Sequence, residues 1–405
     1  MRFNSFSFLT LGVTALLLSA CGGGGNESPT KVKITAVKTA GDSLLDIGAL
    51  QGLNASDNKG LGNGRIFSVQ SSADEPDVIW SERIASNSNL PKLCTYYKAS
   101  AITTFSTTDG CYSFAVGRSS INHTDNTLIA AGQAGSDSAY SITKQLTDMG
   151  NKGFSGSELV LIDGGGNDAS ELFKAYLKAG TDSGASFATL TTSLGGSSAS
   201  SISSVLAGSS ATKLATAGTL YMQALADHFY TSIDTNLLRK GAKQIAILNI
   251  PKVTATVKLQ QTYSSLKGAP KNLTEEQISV LDTMINTWVK AFNTRLVEKA
   301  AGNSSIQIID FYTAFEDQIR NPAQFGLTNV SKEACPVTSV DATGANYSPG
   351  VCTAASLSAS IPAGETKSDW WKTYAFADNF HPTPYGHKLI SQLVSISLAR
   401  AGWLQ

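Results

Sequence analysis

The sequence predicts an α/β fold: a mainly parallel sheet covered by helices on both faces. Two observations carry this. Strand-length apolar runs alternate with helix-length segments along almost the whole chain. The runs are also continuous rather than alternating, as in Leu159-Val160-Leu161-Ile162 and Ile245-Ala246-Ile247-Leu248. A strand buried on both faces reads that way, whereas one with a wet face alternates. At 405 residues the chain can hold one large core. No internal repeat and no linker after residue 31 breaks the pattern, so 32–405 is read as one domain.

The chain opens on Met1-Arg2 and an apolar stretch from Phe6 to Leu18, too short for a stable span. It ends in Leu18-Ser19-Ala20-Cys21, followed by Gly22-Gly23-Gly24-Gly25. This resembles a bacterial lipoprotein signal peptide over 1–20, which implies lipidation at Cys21. Residues 21–31 then read as a Gly-rich flexible tether. The expectation is an exported protein, anchored at the outer membrane or cell surface through Cys21, or secreted. Charge adds little. Lys+Arg and Asp+Glu are both 31 and charged residues only 15%. No basic run with interleaved aromatics points to nucleic acid.

The first strand, Val32 to Val37, leads into Ala40-Gly41-Asp42-Ser43-Leu44. Gly41 breaks the strand and Ser43 falls on the turn after it, at the edge where open α/β sheets bind ligands. Ile79 to Ile84 reads as a short helix. Cys94 to Cys111 reads as a Thr/Ser loop, and Tyr112 to Val116 as a second strand ending at Gly117-Arg118. Ser141 to Met149 is helical. Glu158 to Ile162 is a strand stopped by Asp163-Gly164-Gly165-Gly166-Asn167-Asp168, with a helix over Ala169 to Lys178. Thr181 to Thr212 is a low-complexity Ser/Gly/Ala/Thr stretch, read as a mobile surface insertion or a flap over the site. Helices over Leu214 to Arg239 and Thr274 to Ala301 flank the strand Gln244 to Ile250; Thr274 and Gln277 form a capping signal. Ile306 to Asp310 is the next strand, with a helix over Tyr312 to Ile319. A loop between Cys335 and Cys352 precedes Asp378-Asn379-Phe380-His381-Pro382 and a final helix, Tyr385 to Ala401.

Without Cys21, four cysteines remain: Cys94, Cys111, Cys335 and Cys352. In an exported chain they suggest two disulfides, and local pairing is the simplest of three connectivities. Each bridge would close a loop worth about 3 kcal/mol. No CxxC or Cys/His cluster suggests a metal.

A serine hydroxyl becomes a nucleophile only beside a base that a third group orients. Four histidines are candidates. His123 lies in a polar loop. His228 sits in a long helix and reads as packed or surface-facing. His387 reads as facing out of the last helix. His381 stands in a loop before a helix, and Asp378 three residues earlier can turn back onto its Nδ1–H, leaving Nε2 for the Ser43 proton. Asn167, after the strand ending at Ile162, should project at the same sheet edge as Ser43 and can donate to an oxyanion. A second donor would come from the loop after Val116.

These blocks together resemble the GDSL esterases and lipases, also called SGNH hydrolases. Gly41-Asp42-Ser43-Leu44 matches the nucleophile block, Ala115-Val116-Gly117 the glycine block, Gly165-Gly166-Asn167-Asp168 the third, and Asp378-x-x-His381-Pro382 the last. The resemblance implies a three-layer α/β/α sandwich, flavodoxin-like in outline, with no metal or organic cofactor. It implies Ser43 as nucleophile, His381 as base, Asp378 as its orienter, and Ser43 and Asn167 as oxyanion donors. In the second block the family commonly has two glycines, but Gly117 is followed by Arg118. The remaining donor N–H then belongs to Gly117 or Arg118, and Arg118 places a guanidinium at the rim, available to an anionic or polar substrate group. The implied activity is hydrolysis of a carboxylic ester, either a lipid or a short-chain acyl ester. An acetylated glycan, acyl transfer on the same site, or a surface-binding lipoprotein without activity are the alternatives.

Overall fold

The computed structural model describes residues 33–53, 64–341 and 344–404. The expected signal segment 1–20, Cys21 and the tether 21–31 lie outside them. In chain order the elements are β1 (Ala36–Ala40), α1 (Trp80–Asn87), β2 (Tyr97–Ala101), β3 (Thr104–Thr107), α2 (Ile142–Asn151), β4 (Glu158–Ile162) and α3 (Gly166–Lys178). There follow α4 (Ala185–Thr192), α5 (Gly196–Ala207), α6 (Lys213–Asn236), β5 (Gln244–Leu248), α7 (Val257–Lys267), α8 (Glu275–Ala300), β6 (Ile306–Ile309) and α9 (Phe311–Arg320). The chain ends with β7 (Asn329–Glu333), β8 (Val337–Asp341), β9 (Gly344–Tyr347), α10 (Ala354–Ala359), β10 (Tyr374–Phe376) and α11 (Pro384–Arg400).

The central sheet runs β1-β4-β5-β6, all parallel. Its strands distribute their side chains to two cores, as the pleat requires. Val160, Ile162, Ile245 and Ile247 join Leu146 of α2, Tyr221 and Leu225 of α6, and Trp288 and Phe292 of α8. Leu159, Leu161, Ala246 and Leu248 join Trp80 and Ile84 of α1, Phe315 of α9, and Ile390 and Val394 of α11. The result is three layers, α/β/α. No helix among the described residues is long and apolar enough to cross a membrane.

Tyr112–Val116, read as a strand, lies along the free edge of β1. Thr39 N–H donates to Tyr112 O (3.0 Å), Phe114 N–H to Thr39 O (2.7 Å) and Val116 N–H to Gly41 O (3.2 Å). Ser113 also accepts from Tyr96 N–H (2.7 Å) on its other side. The segment is therefore extended but forms only isolated bridges to Thr39 and Thr95. From β1 the chain goes to one side for this segment and to the other for β4. The order thus reverses beside β1, and the crevice outside the strand ends opens there. Gly41-Asp42-Ser43, Gly117-Arg118 and Asp163 to Asp168 all emerge at that edge.

Four expectations need correcting. The Cys94–Cys111 loop contains the hairpin β2–β3, in which Tyr97 turns inward against Phe114. The Cys335–Cys352 loop contains the hairpin β8–β9. Thr181 to Thr212 is no structureless insertion: it folds into α4 and α5, because Phe187, Leu190 and Ile202 give an Ala/Ser-rich stretch a face to bury. His387 does not face out. It is fully buried within the helical layer that holds α1 and α11. The disulfides Cys94–Cys111 and Cys335–Cys352 pair locally, each across 17 positions.

Candidate active site

Ser43 follows β1 on a turn held from three sides. Gly41 N–H donates to Gln145 Oε1 (2.8 Å), Asp42 N–H to Asp163 Oδ1 (2.8 Å), and Leu44 N–H to Asp42 Oδ1 (3.0 Å). Position 41 must be glycine for lack of space: a Cβ there would sit 1.8 Å from Asp163 Oδ1. Ser43 itself is 5% exposed.

The opposite wall is the loop between β10 and α11. Ala377 N–H donates to His381 O (2.8 Å), closing the loop on itself. Asp378 Oδ1 accepts from the N–H groups of Phe380 (2.8 Å) and His381 (2.7 Å). Its Oδ2 lies 2.7 Å from His381 Nδ1, and His381 Nε2 lies 2.8 Å from Ser43 Oγ. Ser43, Asp378 and His381 are thus brought into one hydrogen-bonded chain across 338 positions of sequence. Burial pushes the Asp378 carboxyl up. The facing His381 and the hydrogen bonds to its side chain and two amides outweigh that and hold it below its ordinary value. The acceptor on Nδ1 fixes the tautomer that leaves Nε2 facing the serine. The Phe67 ring packs 5.1 Å from the His381 ring, and Ser68 Oγ donates to Pro382 O (2.7 Å). On the outer side, Lys258 N–H donates to Asn379 O (2.7 Å), so the start of α7 braces the loop.

The glycine block resolves in a particular way. Gly117 N–H donates to Asp46 Oδ2 (2.7 Å) and so is occupied. A Cβ at Gly117 would meet the Phe67 ring at 2.1 Å. Arg118 adopts φ +69°, the left-handed region that disfavours an L side chain. Its N–H makes no hydrogen bond with a described residue, nor does that of Ser43. Asn167 Nδ2 donates one hydrogen to Ser119 O (2.8 Å), leaving the other.

The supporting roles of several residues were not read from sequence. Asp46 binds the amides of Gly48 (2.8 Å), Ala49 (2.7 Å) and Gly117, joining the loops on either side of the crevice. Asp168 binds those of Ile121 (3.0 Å) and Asn122 (2.8 Å). Burial pushes both carboxyls up to about 6 against these bonds. Asp163 is driven well above its ordinary value by burial and then by the Asp42 charge, and Asp42 is itself raised by burial. The one signal for Asp163 was a carboxylate ending an otherwise apolar strand. His123 and His387 are buried away from the Ser43–His381 contact, and His228 is exposed on α6. Among the described residues, no group of three His, Cys, Asp or Glu could hold a metal ion.

A family model described as GDSL-like Lipase/Acylhydrolase matches residues 37–394. A GDSL esterase/lipase of Arabidopsis thaliana is 23% identical over 190 residues, 44% of this chain. In that match the chain spans 42% of the relative's length.

Proposed function

Because the chain belongs to the GDSL-like lipase/acylhydrolase family, we propose that it hydrolyses carboxylic esters through an acyl-enzyme on Ser43. The observation that carries this is the unbroken chain Asp378 Oδ2–His381–Ser43 Oγ, with contacts of 2.7 and 2.8 Å. Ser43 Oγ attacks the ester carbonyl as His381 Nε2 takes its proton. The negative charge on the carbonyl oxygen is met by the N–H groups of Ser43 and Arg118 and the spare amide hydrogen of Asn167. Collapse expels the alcohol, which leaves with the proton from His381. Water, deprotonated by His381, then attacks the acyl-enzyme, and the acid leaves as His381 returns the proton to Ser43 Oγ. Asp378 keeps its charge throughout and stabilises the imidazolium.

The test is hydrolysis of p-nitrophenyl butyrate. Ser43→Ala should lower kcat by roughly a thousandfold or more. A folded wild-type protein inert across a series of acyl chain lengths would support a binding role instead.

We also propose that Cys21 carries a lipid anchor. Leu18-Ser19-Ala20-Cys21 supports this, and two disulfides suit an oxidising compartment. Cys21→Ser should move the protein from the membrane fraction to the soluble one, and an unchanged distribution would reject the idea.

A further inference from the structure

A cavity of about 430 Å³ opens beside the catalytic histidine. His381 and Asp378 form one wall. Arg118, Lys174 and Lys258 come from a loop, α3 and α7 to form others, and Tyr347 lines one side. Three cations therefore face one space. Among the described residues, the only carboxylate lining that space is Asp378, which is committed to His381.

The surplus is local. The whole chain balances at 31 basic and 31 acidic residues. Among the described residues, Lys174 and Lys258 have no carboxylate within ion-pair distance. Arg118 Nη2 reaches Asp125 Oδ2 only at 3.8 Å. Glu171 lies near Lys174, but burial pushes its carboxyl up to about 7, so it offsets that charge in part. Lys258 is partly buried, with its Nζ 5.4 Å from the Phe380 ring centre. Burial, then the charge of Lys174, hold its ammonium below the usual lysine range. Gathering like charges in a half-enclosed cleft is unfavourable in the empty protein, and an anion placed there relieves it.

The cavity also has a direction. Ser43 is absent from its lining and His381 is part of it. In serine catalysis the histidine delivers its proton to the leaving alcohol, so the alcohol lies on the histidine side. We propose that the substrate is an ester whose leaving alcohol carries a phosphate or carboxylate, held by Arg118, Lys174 and Lys258. This rests on the hydrolase reading above and deepens it.

The test compares matched esters at low ionic strength. One pair is 4-carboxyphenyl butyrate and its methyl ester; the other is 1-butyrylglycerol 3-phosphate and 1-butyrylglycerol. Each rate is corrected for the hydroxide-catalysed reaction. The anionic member of at least one pair should have a kcat/KM at least tenfold higher, and the favoured pair tells carboxylate from phosphate. That ratio should fall at least fivefold in Lys258→Met and in Lys174→Met; being a ratio, it cancels any general loss of activity. Ratios near one in both pairs would overturn the proposal. So would a preference that both lysine variants retain, or a preference seen only for mono-4-nitrophenyl glutarate, whose charge is on the acyl side. A binding arm uses Ser43→Ala protein titrated with glycerol 3-phosphate and with 4-hydroxybenzoate. If the wild-type protein hydrolyses no ester, the hydrolase reading falls alone. Binding that Lys258→Met weakens would still sustain the anion site, and no binding of either probe would overturn it.

Discussion

Asp163 holds the conformation of the turn that carries Ser43. Its Oδ1 accepts the Asp42 N–H at 2.8 Å, while its Oδ2 has no hydrogen-bond partner among the described residues. Burial and the nearby Asp42 favour a protonated carboxyl, so one oxygen accepting one amide suffices. Asparagine keeps that acceptor, shape and neutrality. Asp163→Asn should therefore hold kcat on p-nitrophenyl butyrate within a few-fold of wild type. Asp163→Leu strands a buried N–H, which costs about 1–3 kcal/mol and loosens Ser43. Its kcat should fall with KM little changed, because the loss is in positioning. Equal kcat values for the two variants would reject the role. Arg118 shows how much the sequence disclosed at this scale. The missing second glycine was visible, and it falls where the backbone takes φ +69°. That Gly117 spends its N–H on Asp46 was not visible, since nothing local links positions 46 and 117.

Among the elements, the β-strands that frame the site were the most legible, because continuous apolar runs have one explanation in a covered parallel sheet. The segment that misled was Thr181 to Thr212. Its composition reads as low complexity, yet α4 and α5 dock through a few apolar residues that are sparse in sequence. Phe187 is fully buried, with its ring 6.3 Å from Trp288 and 6.4 Å from Tyr176. Tyr176 lies on the preceding helix, α3, and Trp288 on α8, far off in sequence, so no period within the segment announced them. The packing makes a prediction. Phe187→Ala should cost about 3–5 kcal/mol, the usual loss for a buried phenylalanine. In a domain of this size that lowers Tm by roughly 4–6 °C, read by circular dichroism. A fall of less than about 2 °C would mean α4 adds little to the core and the mobile-insertion reading was nearer the truth.

At the scale of the whole molecule, the crevice concentrates buried carboxyls, and this sets how stability responds to pH. Asp46 and Asp168 are raised to about 6 and Glu171 to about 7, all by burial, and Asp163 is driven well above its ordinary value by burial and the Asp42 charge. Between pH 5 and 7 the folded state therefore holds protons that the unfolded chain has released, so stability falls as pH rises. Histidines oppose this. Burial lowers His387 to about 3 and also lowers His123. Unfolded, they bind protons that the folded protein excludes, and stability rises with pH until the unfolded imidazoles are neutral near 6.5. His228 is lowered too, but it is exposed and counts for little. Carboxyls held low, such as Asp378 and Glu158, act below this window because both states are ionised above pH 5. Four raised carboxyls outweigh two buried histidines, so the net slope is negative, on the order of 3 kcal/mol lost from pH 5 to 7. Tm measured at constant ionic strength should be higher at pH 5 than at pH 7. Asp163→Asn should flatten the slope, since its amide does not titrate. A Tm that rises from pH 5 to 7 would show that the crevice carboxylates are ionised in the folded protein, with their amide contacts outweighing burial.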